Sequence, residues 1–182
     1  SNMIPINERN IRDNYGDMGT PVMKTTSSGA SVIRMFGDSI FLSGTGASPE
    51  GDRPFLREMN LKTKEVKEIF RSGTEAYESF VAMIDDNGAQ FITRRDSPSD
   101  PPNLRLRQVC PPGTNCLAVQ DRQITNFKDP SPQLRGITKE LVRYKRADGV
   151  DLSFTLYLPP GYKKGTRLPT VVWAYPESFT DA

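Results

Sequence analysis

The chain has 182 residues, enough for one domain or two small ones, with 36% of them apolar and 25% charged. Its 24 basic and 22 acidic residues leave a net charge of +2, which excludes a field strong enough to hold nucleic acid or an anionic membrane surface. No run reaches the ~20 apolar residues of a membrane span, no signal-peptide pattern is present, and there is no histidine to serve as a general base.

Fifteen prolines and 14 glycines predict many turns and few long helices, and nine Phe with six Tyr supply the apolar area of a β-rich core. The opening Ser1-Asn2-Met3 reads as a tag-cleavage scar, so the missing signal peptide is silent about compartment. Residues 4–20 are polar, with turn signals at Asn14-Tyr15-Gly16-Asp17 and Gly19-Thr20-Pro21, and read as a connecting segment.

Strand patterns then follow in pairs. Residues 31–36 and 39–43 flank Gly37-Asp38, a two-residue hairpin signal. Residues 54–60 and 65–70 make a second hairpin, in which Phe55, Arg57 and Met59 fall on one face and Leu56, Glu58 and Asn60 on the other. A third joins 80–84 to 90–95 across Asp85-Asp86-Asn87-Gly88. After a Pro/Ser/Asp loop at 97–103 come strands at 104–109 and 122–127. Two four-strand units thus recur at a period of roughly fifty residues, the upper end for β-propeller blades. We place them at about 21–73 and 76–127. Neighbouring blades bury each other's faces, and two cannot close a ring. Exposed apolar faces and open strand edges, with self-association or strand exchange through them, are therefore expected.

Between the last two strands of the second unit lies Cys110-Pro111-Pro112-Gly113-Thr114-Asn115-Cys116, turn chemistry throughout. Thiols at the two ends of such a loop can meet at disulfide distance. A Cys110–Cys116 bond would contribute at the low end of about 2–4 kcal/mol and would favour a periplasmic or secreted setting. No further Cys or His is present to complete a metal tetrahedron, and the spacing is not that of a redox CxxC motif.

Residues 128–139 read as an interdomain linker. Beyond it 140–146 turns at Asp148-Gly149 into 152–158, where Leu152, Phe154, Leu156 and Leu158 share one face and Ser153, Thr155 and Tyr157 the other. The continuous apolar run 170–175 suits a strand buried on both faces. The basic run Arg143-Tyr144-Lys145-Arg146 reads as a solvated strand face.

Few residues carry recognisable chemistry. Residues 46–53 begin like a phosphate loop but lack the Lys-Ser/Thr that would hold phosphate and magnesium, and no G-x-S-x-G nucleophile elbow occurs. Asp85, Asp86, Asn87 and Asp96 fit no calcium-loop spacing. Neither a cofactor nor a metal is expected.

The string from Asp148-Gly149 through Leu156-Tyr157-Leu158-Pro159-Pro160-Gly161-Tyr162, followed by Leu168-Pro169 and an apolar run ending in Tyr175-Pro176, resembles the lead-in to the catalytic domain of the prolyl oligopeptidase family. Residues 44–56, 124–134 and Trp173-Ala174-Tyr175-Pro176-Glu177-Ser178-Phe179 are similar, more narrowly, to its glutamyl endopeptidase branch. The likeness runs from about Asp13 to Ala182. It implies a mainly β fold class, two four-stranded β-propeller blades followed by the first strands of an α/β-hydrolase domain over 140–182.

The resemblance also implies a serine endopeptidase acting on peptides, cleaving after Glu. Its Ser, Asp and His would lie beyond Ala182, leaving the 182-residue chain inactive by itself. One functional position carries over. Tyr175 would donate its hydroxyl to the oxyanion, an effect of about 3 kcal/mol on a barrier. The usual Tyr-Gly-Gly is here Tyr175-Pro176-Glu177, which puts the local backbone in doubt, and the rival reading of Tyr175 is a strand-end core aromatic. Preference for Glu calls for a cation near the scissile bond, for which Arg94, Arg95, Arg105 and Arg107 are contributors to weigh against plain solvated strand charges. Two alternatives stand beside this reading: a non-catalytic propeller module that binds a protein or glycan, and an exopeptidase of the same family that removes dipeptides.

Overall fold

Turn chemistry and period-two alternation organise the chain into antiparallel ladders. The computed structural model describes residues 5–109 and 120–174. It divides into two units, one ending at Lys128 and one beginning at Asp129.

The first unit holds two successive meanders. One is built from β1 (Thr20–Pro21), β4 (Met35–Phe36), β5 (Ser39–Gly44), β6 (Phe55–Asn60) and β7 (Val66–Arg71), in the order β1-β5-β6-β7 with β4 also on β5. The Gly37-Asp38 turn joins β4 to β5, pairing Phe36 with Ser39, and Gly37 takes the positive φ of 58° that such a turn requires. The expected single strand over 31–36 is broken. Val22 occupies its middle, donating its N–H to the Phe41 carbonyl at 2.8 Å while its own carbonyl accepts from the Arg34 N–H at 2.8 Å. The chain leaves the sheet at Val22 as a small hairpin, β2 (Met23–Thr25) with β3 (Ser31–Ile33), and returns at Arg34.

The second meander runs β8 (Tyr77–Met83), β9 (Gln90–Asp96), β10 (Asn103–Gln108) and β11 (Gln120–Gln123), in spatial order β11-β10-β9-β8. The largest departures from the sequence pattern are at the two outer strands. β8 starts at Tyr77, not at residue 80, and β11 ends at Gln123, not at 127. Past Ile124, whose N–H still donates to the Leu104 carbonyl at 2.9 Å, side chains replace the ladder. The Leu104 N–H donates to Thr125 Oγ1 at 2.8 Å, and the Phe127 N–H to Asn103 Oδ1 at 2.7 Å.

The two meanders pack face to face. Val22, Phe41 and Leu56 from the first meet Met83 and Phe91 from the second, with Ile69, Phe70, Phe80 and Val109 around them. Phe91 is fully buried and meets the Phe70 ring edge-on at 5.8 Å. Burial of one large aromatic contributes roughly 1.5–3 kcal/mol. The far face of the first meander carries Ile40, Leu42 and Met59, covered in part by Met18 and Leu61. Both faces of β6 are therefore used, Leu56 on one and Met59 on the other, as its alternation predicts. A bulge at Ile69 lets β7 keep pace with it. The two meanders close no ring, and the described residues contain no α-helix.

In the second unit a single 3-10 turn, Pro132–Leu134, precedes β12 (Thr138–Lys145) and β13 (Asp151–Leu158). β12 thus begins inside the stretch read as linker. Their ladder places Val142 opposite Phe154 and Tyr144 opposite Leu152, with Tyr144 edge-on to Phe154 at 5.9 Å. Leu152, Phe154, Leu156 and Leu158 do share a face, and Lys139 lies over the Tyr157 ring on the other at 5.3 Å. The strand expected over 170–175 is not formed at its described positions, 170–174. Val171, Val172 and Trp173 are 91%, 86% and 83% exposed. A strand exists only as one member of a ladder, and among the described residues β12 and β13 pair with each other alone.

Candidate functional site

The polar chemistry of the first unit gathers at one end of its two sheets. There the loop between β5 and β6 folds back on itself. The Arg53 N–H donates to the Gly46 carbonyl at 2.9 Å, and Gly46 has φ +64°. A Cβ on Gly46 would stand 2.1 Å from the Arg53 carbonyl oxygen, so only glycine fits this closure. The same loop is tied to the connection between the sheets. Arg53 Nε donates to the Ser72 carbonyl at 3.1 Å, and the Ser72 N–H to the Pro54 carbonyl at 2.7 Å. Ser72 is fully buried. Its hydroxyl donates to the Ala76 carbonyl at 2.9 Å and accepts the Glu78 N–H at 3.0 Å.

Glu78 is thereby fixed at the start of β8, pointing onto the inner face of the second sheet. Its side chain is 5% exposed. Thr93 Oγ1 donates to its Oε1 at 2.5 Å, and Arg107 donates to both oxygens, Nε to Oε1 at 2.8 Å and Nη2 to Oε2 at 2.5 Å. Arg107 Nη1 also reaches Asp121 at 3.0 Å, and Arg105 Nε donates to the other Asp121 oxygen at 2.5 Å. That hydrogen bond is the main cause raising the Arg105 guanidinium above its ordinary value. Partial burial opposes it, and the charges of Asp121 and Glu78 add to it. Arg95 stands 3.9 Å from Glu78 Oε2. A pocket of about 390 Å³ opens beside this network, lined by Glu78, Arg95, Arg107 and Asp121 on the sheet and by residues 73–76 on the connection. On the other side of that connection a second pocket of about 250 Å³ is lined by Glu50, Asp52, Arg53, Glu75, Tyr77 and Pro98.

The four arginines singled out from sequence do not act together. Ladder register puts Arg95, Arg105 and Arg107 on the inner face with Thr93 and Phe91. Arg94 points to the opposite face, 48% exposed and 3.8 Å from Asp96. Arg105 and Arg107 are not solvated strand charges but the cationic half of a paired cluster. Glu78, Asp121, Thr93 and Ser72 escaped the sequence reading. Glu78 continues the period-two pattern back from Phe80, and that continuation is the signal that would have found it. The acidic turn after β8 serves Arg34, whose Nη1 donates to the Asp85 carbonyl at 3.1 Å and to Asp86 Oδ1 at 2.6 Å. Tyr175, Cys110 and Cys116 lie outside the described residues.

No family model matches the chain. Curated proteins do. The "Probable glutamyl endopeptidase, chloroplastic" of Oryza sativa subsp. japonica is 36% identical over 188 residues, and that of Arabidopsis thaliana is 36% identical over 189. The chain is related to peptidases. Each alignment covers 94% of this chain and 19% of the relative, so the chain spans about a fifth of the length of the curated relatives it matches.

Proposed function

We propose that these residues form part of a serine-type endopeptidase of the prolyl oligopeptidase family that cleaves peptides after Glu. In this reading the two meanders are propeller blades over 21–73 and 76–127, residues 128–139 link them to the next domain, and 140–182 open an α/β-hydrolase domain. The observation that carries it is the 36% identity to two glutamyl endopeptidases sustained along 94% of the chain. Two consecutive antiparallel meanders packed face to face support the blade assignment.

The chemistry is shared between this chain and polypeptide outside it. A Ser-His-Asp relay needs an imidazole to take the serine proton, and these 182 residues contain no histidine. Tyr175 would supply a hydroxyl to the oxyanion of the tetrahedral intermediate. The blades would enclose the peptide and, through their arginines, favour acidic residues.

The test uses the intact parent protein and the 182-residue chain side by side. The parent is expected to hydrolyse blocked peptides after Glu in preference to Gln and to be labelled by a fluorophosphonate. Tyr175→Phe is expected to lower kcat by about 10²–10³ with KM little changed. The 182-residue chain alone is expected to do neither. Labelling of the chain alone, or a parent that neither reacts nor cleaves, would overturn the reading.

A further inference from the structure

Among the described residues lining the pocket of the second sheet, one cation is left with open donors. Arg105 and Arg107 commit theirs to Asp121 and Glu78. The Arg95 side chain makes no hydrogen bond among the described residues. Its nearest anion, Glu78 Oε2, is 3.9 Å away, beyond hydrogen-bond reach, and that oxygen is already held by Arg107 at 2.5 Å. The Arg95 side chain is 32% exposed and lines the cavity of about 390 Å³.

We propose, resting on the peptidase reading above, that Arg95 is the open half of a carboxylate-binding subsite that takes the side chain of an acidic residue in a bound peptide. The planar guanidinium presents paired N–H donors that match a carboxylate bidentately, and charge assistance makes such bonds about twice as strong as neutral ones. The surroundings prepare it. Glu78 holds the cation by charge without consuming its donors. Both Glu78 oxygens are covered by Arg107 and Thr93, so an incoming carboxylate meets no bare anion on the sheet. Arg95 sits in one ladder row with Glu78 and Asn103, and Asn103 Nδ2 donates to the Phe127 carbonyl at 3.2 Å where the chain leaves the sheet. Three carboxylates line the pocket: Glu78 and Asp121 are paired with Arg107 and Arg105, while Glu75, exposed on the wall and without a partner among the described residues, is the unpaired one that opposes an anion.

The test titrates the full chain with three peptides, followed by calorimetry and backbone amide shifts. One has an internal Glu and both ends blocked, the second has Gln in its place, and the third has a free C-terminus and no acidic side chain. The Glu peptide is expected to bind at least about tenfold tighter than the other two. Arg95→Gln is expected to erase that margin, Arg94→Gln on the opposite face to keep it, and Glu75→Gln to widen it, a gain that misfolding cannot imitate. Equal binding of Glu and Gln peptides, or a margin that survives Arg95→Gln, overturns the subsite. Equal binding of the free C-terminus overturns the side-chain source of the carboxylate. In the intact parent, cleavage after Glu with a Glu-to-Gln ratio of kcat/KM untouched by Arg95→Gln sinks the subsite and leaves the function standing. A parent that cleaves nothing, while the chain still binds the Glu peptide through Arg95, does the reverse.

Discussion

Arg107 is the charged residue whose loss the second sheet should feel most. Its guanidinium binds Glu78 at 2.8 and 2.5 Å and Asp121 at 3.0 Å, and lies over the Phe70 ring at 5.5 Å. Arg107→Met keeps much of the aliphatic stem against Phe70 and removes the charge. Asp121 retains Arg105, but Glu78, 5% exposed, is left with the Thr93 hydroxyl and a guanidinium 3.9 Å away. Removing one partner of a buried pair costs about 3–5 kcal/mol, and the residual pull of Arg95 puts this case at about 3. The double variant Glu78→Met/Arg107→Met removes the stranded charge as well. What it leaves is the Thr93 hydroxyl without its acceptor, a cost of about 1 kcal/mol. The double variant should therefore be more stable than Arg107→Met by about 2 kcal/mol, and the coupling between the two positions is that difference plus the cost of Glu78→Met alone. Urea unfolding of the full chain, followed by far-UV circular dichroism at constant slope, measures all four members of the cycle. Additive single effects, or an Arg107→Met loss below about 1 kcal/mol, would refute the view of Glu78 and Arg107 as a mutually dependent buried pair.

Three further outcomes follow from the packing and electrostatics. Phe91→Ala, which empties a fully buried site between the sheets, should lower unfolding free energy by about 3–5 kcal/mol, whereas Val171→Ala at a 91% exposed position should stay within about 0.5. Gly46→Ala forces a Cβ to 2.1 Å from the Arg53 carbonyl, so it should cost more than the ~1 kcal/mol of unfavourable φ alone, while Gly149→Ala, at φ +90° with open space around it, should cost only that strain. The comparison needs only the two urea midpoints. Glu68 is held below its ordinary 4.5, chiefly by the hydrogen bond from Arg71 and by the charges of Arg71 and Arg57, against partial desolvation. A depressed carboxylate stabilises the fold above its unfolded value, and that contribution is lost as pH falls through the folded one. Arg71→Gln should therefore shrink the stability lost on acidification from about pH 5 to about pH 3, and an unchanged acid limb in the variant would remove Glu68 from the account.

What the sequence by itself determined here is local. Gly37-Asp38 marked a hairpin, alternation from Phe55 to Asn60 predicted both buried faces of β6, and Leu152 to Leu158 predicted the faces of β13. Each is a property of neighbouring residues, set by a strand's two-residue period and by turns that need positive φ. What only the tertiary structure decided is between residues far apart in the chain. Val22 displaces the middle of an expected strand because Phe41 and Arg34 offer it a ladder position. The run from Thr170 to Ala174 stays out of any sheet because hydrophobicity alone supplies no partner strand. The ion pairing of Glu78 with Arg107 joins positions 29 residues apart, and register sorts Arg95 from Arg94 onto opposite faces. Alternation says that adjacent arginines diverge. Which of them meets a carboxylate depends on the strand that folds beside it.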